Sequence, residues 1–266
     1  MMARTPARPR GARQPSASAL AGAAVGALIA IVVFAPASWL AARIEGATGG
    51  RVQLLQPLGT VWNGSAGLAL TGGAGSRAAL ALPGAVRWKL RPDWSGLRAQ
   101  VDATCCTSQP LRLHFSPRWG GGHLTLADGR SQWPAALLAG LGTPWNTVQP
   151  EGALVLSTEG LSVEWIKGRL TLAGQARLDA NGLSSRLSTL KPMGSYRLTL
   201  DGGATPRLSL ETLEGSLQLS GRGEWAGSNW RFRGIAQAAP DRAAALSNLL
   251  NIIGRRDGER SIITIG

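Results

Sequence analysis

Two histidines, two cysteines, one tyrosine and three lysines are all this 266-residue chain offers of several reactive residue types. That scarcity excludes much. His114 and His123 stand nine residues apart with no cysteine or carboxylate cluster around them, which fits no standard zinc spacing. Both read as ordinary surface histidines. No G-x-S-x-G, P-loop, H-E-x-x-H or dinucleotide fingerprint occurs. The glycine run Thr71-Gly72-Gly73-Ala74-Gly75-Ser76 lacks a following lysine and helix, so it reads as a turn and not as a phosphate cradle. The 15 acidic residues are dispersed, and no pair of them calls for general acid–base work. The chain is therefore expected to be no enzyme and to hold no cofactor and no metal.

What the chain has in excess is arginine, and the net charge is +13. The only lysines are Lys89, Lys167 and Lys191, and the arginines are spread along the sequence with no basic cluster. A spread of this kind argues against nucleic acid as a partner. Facing anionic lipid headgroups is a milder use of the same charge.

Charge is missing altogether between Arg13 and Arg43. The run from Leu20 to Ala42 is about long enough to cross a bilayer core of roughly 30 Å as one helix. The expected organisation is a disordered basic tail over residues 1–18, a transmembrane anchor over 19–42 and a β-rich domain over 43–266. Arg4, Arg8, Arg10 and Arg13 stand before the run, and Arg43, Glu45 and Arg51 follow it. The positive-inside rule then leaves the tail in the cytoplasm and the domain outside. A cleaved signal peptide is the competing reading, because Ala35-Pro36-Ala37 has the small-x-small form of a cleavage site. The apolar stretch continues past that site through Trp39, a residue suited to an interfacial anchor, and this favours the uncleaved helix.

Behind the run, period-two alternation dominates. Val86, Trp88 and Leu90 alternate with arginine and lysine, as do Leu97 to Ala103 and Leu111 to Phe115 with polar residues. The pattern returns at Leu170 to Leu178, Tyr196 to Leu200 and Leu217 to Trp225. Such alternation marks strands with one apolar face. Asp128-Gly129, Asn181-Gly182, Asp201-Gly202-Gly203 and Glu214-Gly215 supply turn chemistry between them, so an antiparallel meander is expected. Helices are expected at Pro134 to Leu141 and at Pro240 to Ile253. In the second, Leu246, Leu249, Leu250 and Ile253 share one stripe and Gly254 is placed to end it. A last strand runs from Ser261 to Ile265.

Of the ten tryptophans, Trp88, Trp165 and Trp225 fall on apolar strand faces and are expected in the core. Trp62, Trp94, Trp119 and Trp145 stand beside turn residues, where they cap turns or meet an interface or membrane. The adjacent Cys105 and Cys106 could close a vicinal disulfide, pair with another chain, or stay reduced.

With these elements in order, the sequence resembles the type II secretion system protein N family, also called general secretion pathway protein N. The resemblance rests on three stretches behind the amino-terminal anchor. The first is Leu58-Gly59-Thr60-Val61-Trp62-Asn63-Gly64-Ser65-Ala66. The second is Leu82 to Pro92, with Trp88 and Pro92 in an x-W-x-L-x-P pattern. The third is the carboxyl end, with Gly223, Trp225, Gly234 and Gly254. The resemblance implies a mainly β fold: a single amino-terminal transmembrane helix, then a twisted antiparallel sheet with one or two short helices, one of them carboxyl-terminal and packed on the sheet. It implies a non-catalytic accessory component of the bacterial inner membrane, with its bulk in the periplasm. That component aids the export of folded proteins, and its partners are other secretion components. Open sheet edges are expected to recruit such partners. A second class follows from similar architecture: AsmA-like and TamB-like proteins, anchored β sheets that handle lipid or another amphiphile.

Overall fold

A computed structural model describes residues 17–76, 79–226 and 229–265. The chain divides into two compact units, residues 1–35 and 36–266.

In the first unit, α1 (Ala17–Val33) is apolar along its length and uncharged. The single helix expected over 19–42 is not formed. α1 ends at Val33, and a separate helix, α2 (Ala37–Ala47), begins beyond Pro36. Proline lacks an N–H and disfavours helical geometry in the residue before it, here Ala35. The second half of the apolar run belongs to the folded unit. Ala37 and Ala41 of α2 are buried, and Leu40 packs near Ala66 and Trp88. Hydropathy alone merges a buried globular helix with the apolar segment before it. No helix among the described residues is long and apolar enough to cross a membrane.

Among the described residues, the second unit is one antiparallel sheet of fifteen strands. These are β1 (Val52–Gly59), β2 (Asn63–Thr71), β3 (Ala79–Asp93), β4 (Gly96–Ala103), β5 (Leu111–Arg118), β6 (Gly121–Leu126), β7 (Gly129–Pro134), β8 (Glu151–Ile166), β9 (Arg169–Ser184), β10 (Gly194–Gly203), β11 (Arg207–Gly215), β12 (Leu217–Ala226), β13 (Asn229–Ala238), β14 (Arg255–Asp257) and β15 (Arg260–Ile265). Apart from β6 and β7, which share one side of β8, and the inverted order of β14 and β15, the sheet follows sequence order. The alternation read from the sequence becomes cross-strand ladders. Leu97, Phe115, Leu124, Val163 and Leu172 stand in register across five strands.

The expected helix at Pro134 to Leu141 is a 3-10 segment, Ala135–Leu141, with Pro134 closing β7 before it. The expected carboxyl-terminal helix opens as a short 3-10 turn, Pro240–Arg242, and continues as α4 (Ala243–Ile253). Gly254 behind α4 is fully extended, so it is no left-handed cap. A Cβ there would lie 2.6 Å from the Ile262 carbonyl oxygen, so the glycine lets the chain pass close to β15.

The two ends of the sheet differ. At the helix end, Leu246, Leu249 and Leu250 of α4 form a core with Tyr196, Leu217 and Ala236. Val148, from the short α3 (Trp145–Val148), joins it. Buried hydroxyls tie these pieces down: Ser185 donates to the Val148 carbonyl, Ser188 to that of Ala245 and Ser261 to that of Leu250. At the hairpin end lie the turns β1–β2, β3–β4, β5–β6 and β8–β9.

Both sheet edges are blunted. β1 carries Pro57 and a register shift between Leu55 and Leu58. β14 has three residues, Arg255, Arg256 and Asp257, all exposed. Proline, bulges and short charged strands each deter strand addition, which argues against the expected edge recruitment.

Candidate functional site

The first two motif stretches converge. Gly59, at φ +86°, leads into the β1–β2 turn, where the Thr60 N–H donates to the Asn63 carbonyl. The Asn63 N–H donates to Thr60 Oγ1 at 3.1 Å. Trp88, 5% exposed, reaches across from β3, and its Nε1 donates to the Val61 carbonyl at 3.0 Å. A Cβ on Gly64 would lie 2.5 Å from the Trp88 ring, so only glycine lets the indole lie on β2. The Leu90 N–H donates to the Trp62 carbonyl, and Pro36 forms an isolated bridge with Thr60. Pro92 stands opposite Leu97 near the hairpin tip and is exposed. These residues make a structural lock between α2 and the first three strands.

The third stretch lies across the sheet from this lock and does not join it. Gly223 leaves room for the rings of Trp230 and Phe232, and Gly234 for that of Phe232. Trp225 contacts Trp230 at a centroid distance of 5.7 Å but is 40% exposed. Trp165 stacks on Phe115 and is 38% exposed. The core positions expected for these two tryptophans are therefore wrong. Both stand toward the hairpin end, where strand alternation continues past the region that helices cover. Trp94 and Trp119, at the tips of β3–β4 and β5–β6, are fully exposed. The cap role expected for them is not what the structure gives. Trp62 is half-buried in its turn, and Trp145 is 40% exposed on α3.

Cys105 and Cys106 are joined to each other by a disulfide in the turn after β4. Cys106 is buried against Leu82, Val86, Ala103 and Leu137, whereas Cys105 is exposed. The disulfide lines an open groove of about 730 Å³ with Pro83, Arg130 and Trp133.

The histidines are less exposed than surface positions imply. His114 is half-buried, with Nε2 3.1 Å from Ser95 Oγ and 3.6 Å from Asp93 Oδ2. Arg98 completes this group at 2.6 Å from Asp93. Hydrogen bonds from Ser95, with Arg98 and His114 beside it, hold the Asp93 carboxyl down to about 2. His123 is half-buried on β6, opposite Glu164 and Ser116. On the same polar face, Arg197 grips Asp179 at 2.7 and 3.1 Å and holds that carboxyl below its ordinary range. Burial pushes the Tyr196 hydroxyl up, and it donates to the Leu217 carbonyl at 3.0 Å. The Arg98–Asp93 and Arg197–Asp179 pairs join neighbouring strands, and the Tyr196 hydroxyl reaches past β11 from β10 to β12. No group of three metal-binding side chains occurs among the described residues.

The fold and these residues define the chain as an open antiparallel β-sheet protein whose distinctive residues lock strands together. The chain belongs to the protein N family of the type II secretion system (T2SS), whose family model matches residues 50–263. Comparison with curated proteins and with solved structures returned no match. Membership gives the chain a role in type II secretion, a place in the bacterial cell envelope and association with other components of that system.

Proposed function

We propose that the chain is a non-catalytic accessory component of the inner membrane, with its sheet on the periplasmic side, aiding export of folded proteins across the outer membrane. The observation that carries this reading is the pairing of an uncharged apolar segment with a sheet whose polar groups bond strand to strand. A sheet with its interactions turned inward serves as a frame for other subunits. The test is complementation of cells lacking the chain, scored by the folded protein recovered outside the cell. Wild type should restore export, and alkaline phosphatase fused after Gly266 should be active. Normal export without the chain refutes an export role, and an inactive fusion refutes the topology.

A specific observation favours lipid handling as the second reading. Leu113, Leu124 and Leu126 are half-buried on β5 and β6 and belong to none of the core clusters. The apolar face thus stays partly open in mid-sheet. Organic extraction of the purified protein followed by mass spectrometry separates the readings: abundant phospholipid favours lipid handling, and a lipid-free protein favours the frame.

A further inference from the structure

The least protected apolar surface of the folded unit is gathered at the hairpin end. Trp94 and Trp119 project from successive hairpins with their rings fully in solvent, and Trp165 and Leu170, which face each other beside the β8–β9 turn, are also exposed. Tryptophan pairs an apolar ring with a polar N–H, a combination enriched where water meets lipid. The three turns β3–β4, β5–β6 and β8–β9 are contiguous. The Lys167 N–H donates to the Gly120 carbonyl at 3.0 Å, and Gly96 lies against the Phe115 carbonyl. At roughly 5 Å per strand, Trp94, Trp119 and Lys167 span on the order of 20 Å.

At the β3–β4, β5–β6 and β8–β9 tips the exposed charges are basic. Arg98 is taken up by Asp93, which leaves Arg91, Arg118, Lys167 and Arg169 exposed around the tips. The next acid along β8, Glu164, lies inside the sheet opposite His123. The folded unit also begins here: Pro36, bridged to Thr60, is its first residue, and the apolar segment immediately precedes it in the chain.

We propose that the hairpin end seats on anionic phospholipid headgroups. Trp94 and Trp119 enter the headgroup layer, and Arg118, Lys167 and Arg169 bind lipid phosphates. The proposal rests on the inner-membrane reading above and adds a second, peripheral contact. An apolar ring inserted at the interface fixes depth, and the cations fix which lipid is preferred.

The test uses the full chain in vesicles containing phosphatidylglycerol and a brominated phosphatidylcholine that quenches tryptophan on contact. Flotation reports binding, and quenching reports where the tryptophans lie. The pair Trp94→Phe/Trp119→Phe keeps the rings apolar and should remove about half or more of the bromolipid-dependent quenching. Trp145→Phe, at the helix end, should remove almost none. Arg118→Gln/Lys167→Gln should reduce quenching with phosphatidylglycerol but not with phosphatidylcholine alone. Salt should act like that charge change, since the Debye length falls from about 10 Å at 0.1 M to about 3 Å at 1 M. A chain that floats but whose quenching ignores Trp94 and Trp119 overturns the proposal and leaves the anchor reading standing. A chain that does not float overturns both. Loss of export in Trp94→Ser/Trp119→Ser with unchanged lipid quenching identifies a protein partner at the tips and also overturns the proposal.

Discussion

The helix end and the hairpin end are built from the same alternating strands, yet only the first is sealed. There, α4 lays Leu246, Leu249 and Leu250 on the sheet, and all three are essentially inaccessible. At the other end the same apolar face runs out to Trp165, Trp94 and Trp119 with no comparable cover. A strand's alternation states which side is apolar. It does not state what covers that side.

Breaking the sealed end should have the largest effect. Leu250→Asp places a carboxylate where 1% of the residue is exposed, and truncation of a leucine at such a site alone costs about 2–5 kcal/mol. Against a total stability of about 5–15 kcal/mol, urea titration should show the unit largely unfolded, with export lost. Leu249→Asp should behave alike, and Arg242→Ala should be silent. A cooperative transition at the wild-type midpoint would show that α4 does not hold this end.

Trp88→Ala comes next, at about 3–5 kcal/mol, because it empties the lock between α2 and β1–β3 and strands the Val61 carbonyl. Thermal unfolding should move down markedly, and an unmoved midpoint would mean that the lock adds nothing.

The third prediction concerns acid. The carboxyl of Asp93 is held down to about 2, below the ordinary value of about 4. Its contribution to stability is therefore present above about pH 4 and is lost as pH falls through about 2. Asp93→Asn should flatten that acid limb in a series of thermal midpoints. An unchanged limb would remove the Asp93, Ser95, Arg98 and His114 group from the account.

The smallest effect on stability belongs to the bare end. Trp94→Ser and Trp119→Ser should each stay within about 0.5 kcal/mol of wild type, since both rings are in solvent. A larger loss would show that the tips pack after all and would blur the contrast between the two ends.

Strand positions, the turn glycines and the leucine stripe of α4 were legible in the sequence because each is a short-range pattern. The break at Pro36 was legible too, but hydropathy averaged across it; Ala37, Leu40, Ala41 and Ile44 already fall at the spacing of a packed helix face. The exposure of Trp165 and Trp225 was not legible, because it depends on how far the helices reach along the strands. Trp230, which meets Trp225 and fills the space above Gly223, carried no local signal that set it apart. The blunted edges became visible only when the strand order made β1 and β14 outermost. The candidate site fared worse than the fold. The sequence places Trp94 and Trp119 beside turn residues, but their alignment with Lys167 along one end of the sheet depends on the pairing of β6 with β8, across the excursion through β7.

That pairing order has a consequence for how the molecule is made. Most strands find their partner in the segment just before or after them, so each new pairing closes only a short loop and costs little entropy. A chain delivered from β1 onward can lay the sheet down hairpin by hairpin as it emerges. α4 and β15, the pieces that seal the helix end, are delivered after β1 to β13. Closure of the core then waits for residues 243–265, and a chain cut short before residue 243 would keep its early hairpins but lack the cover they need.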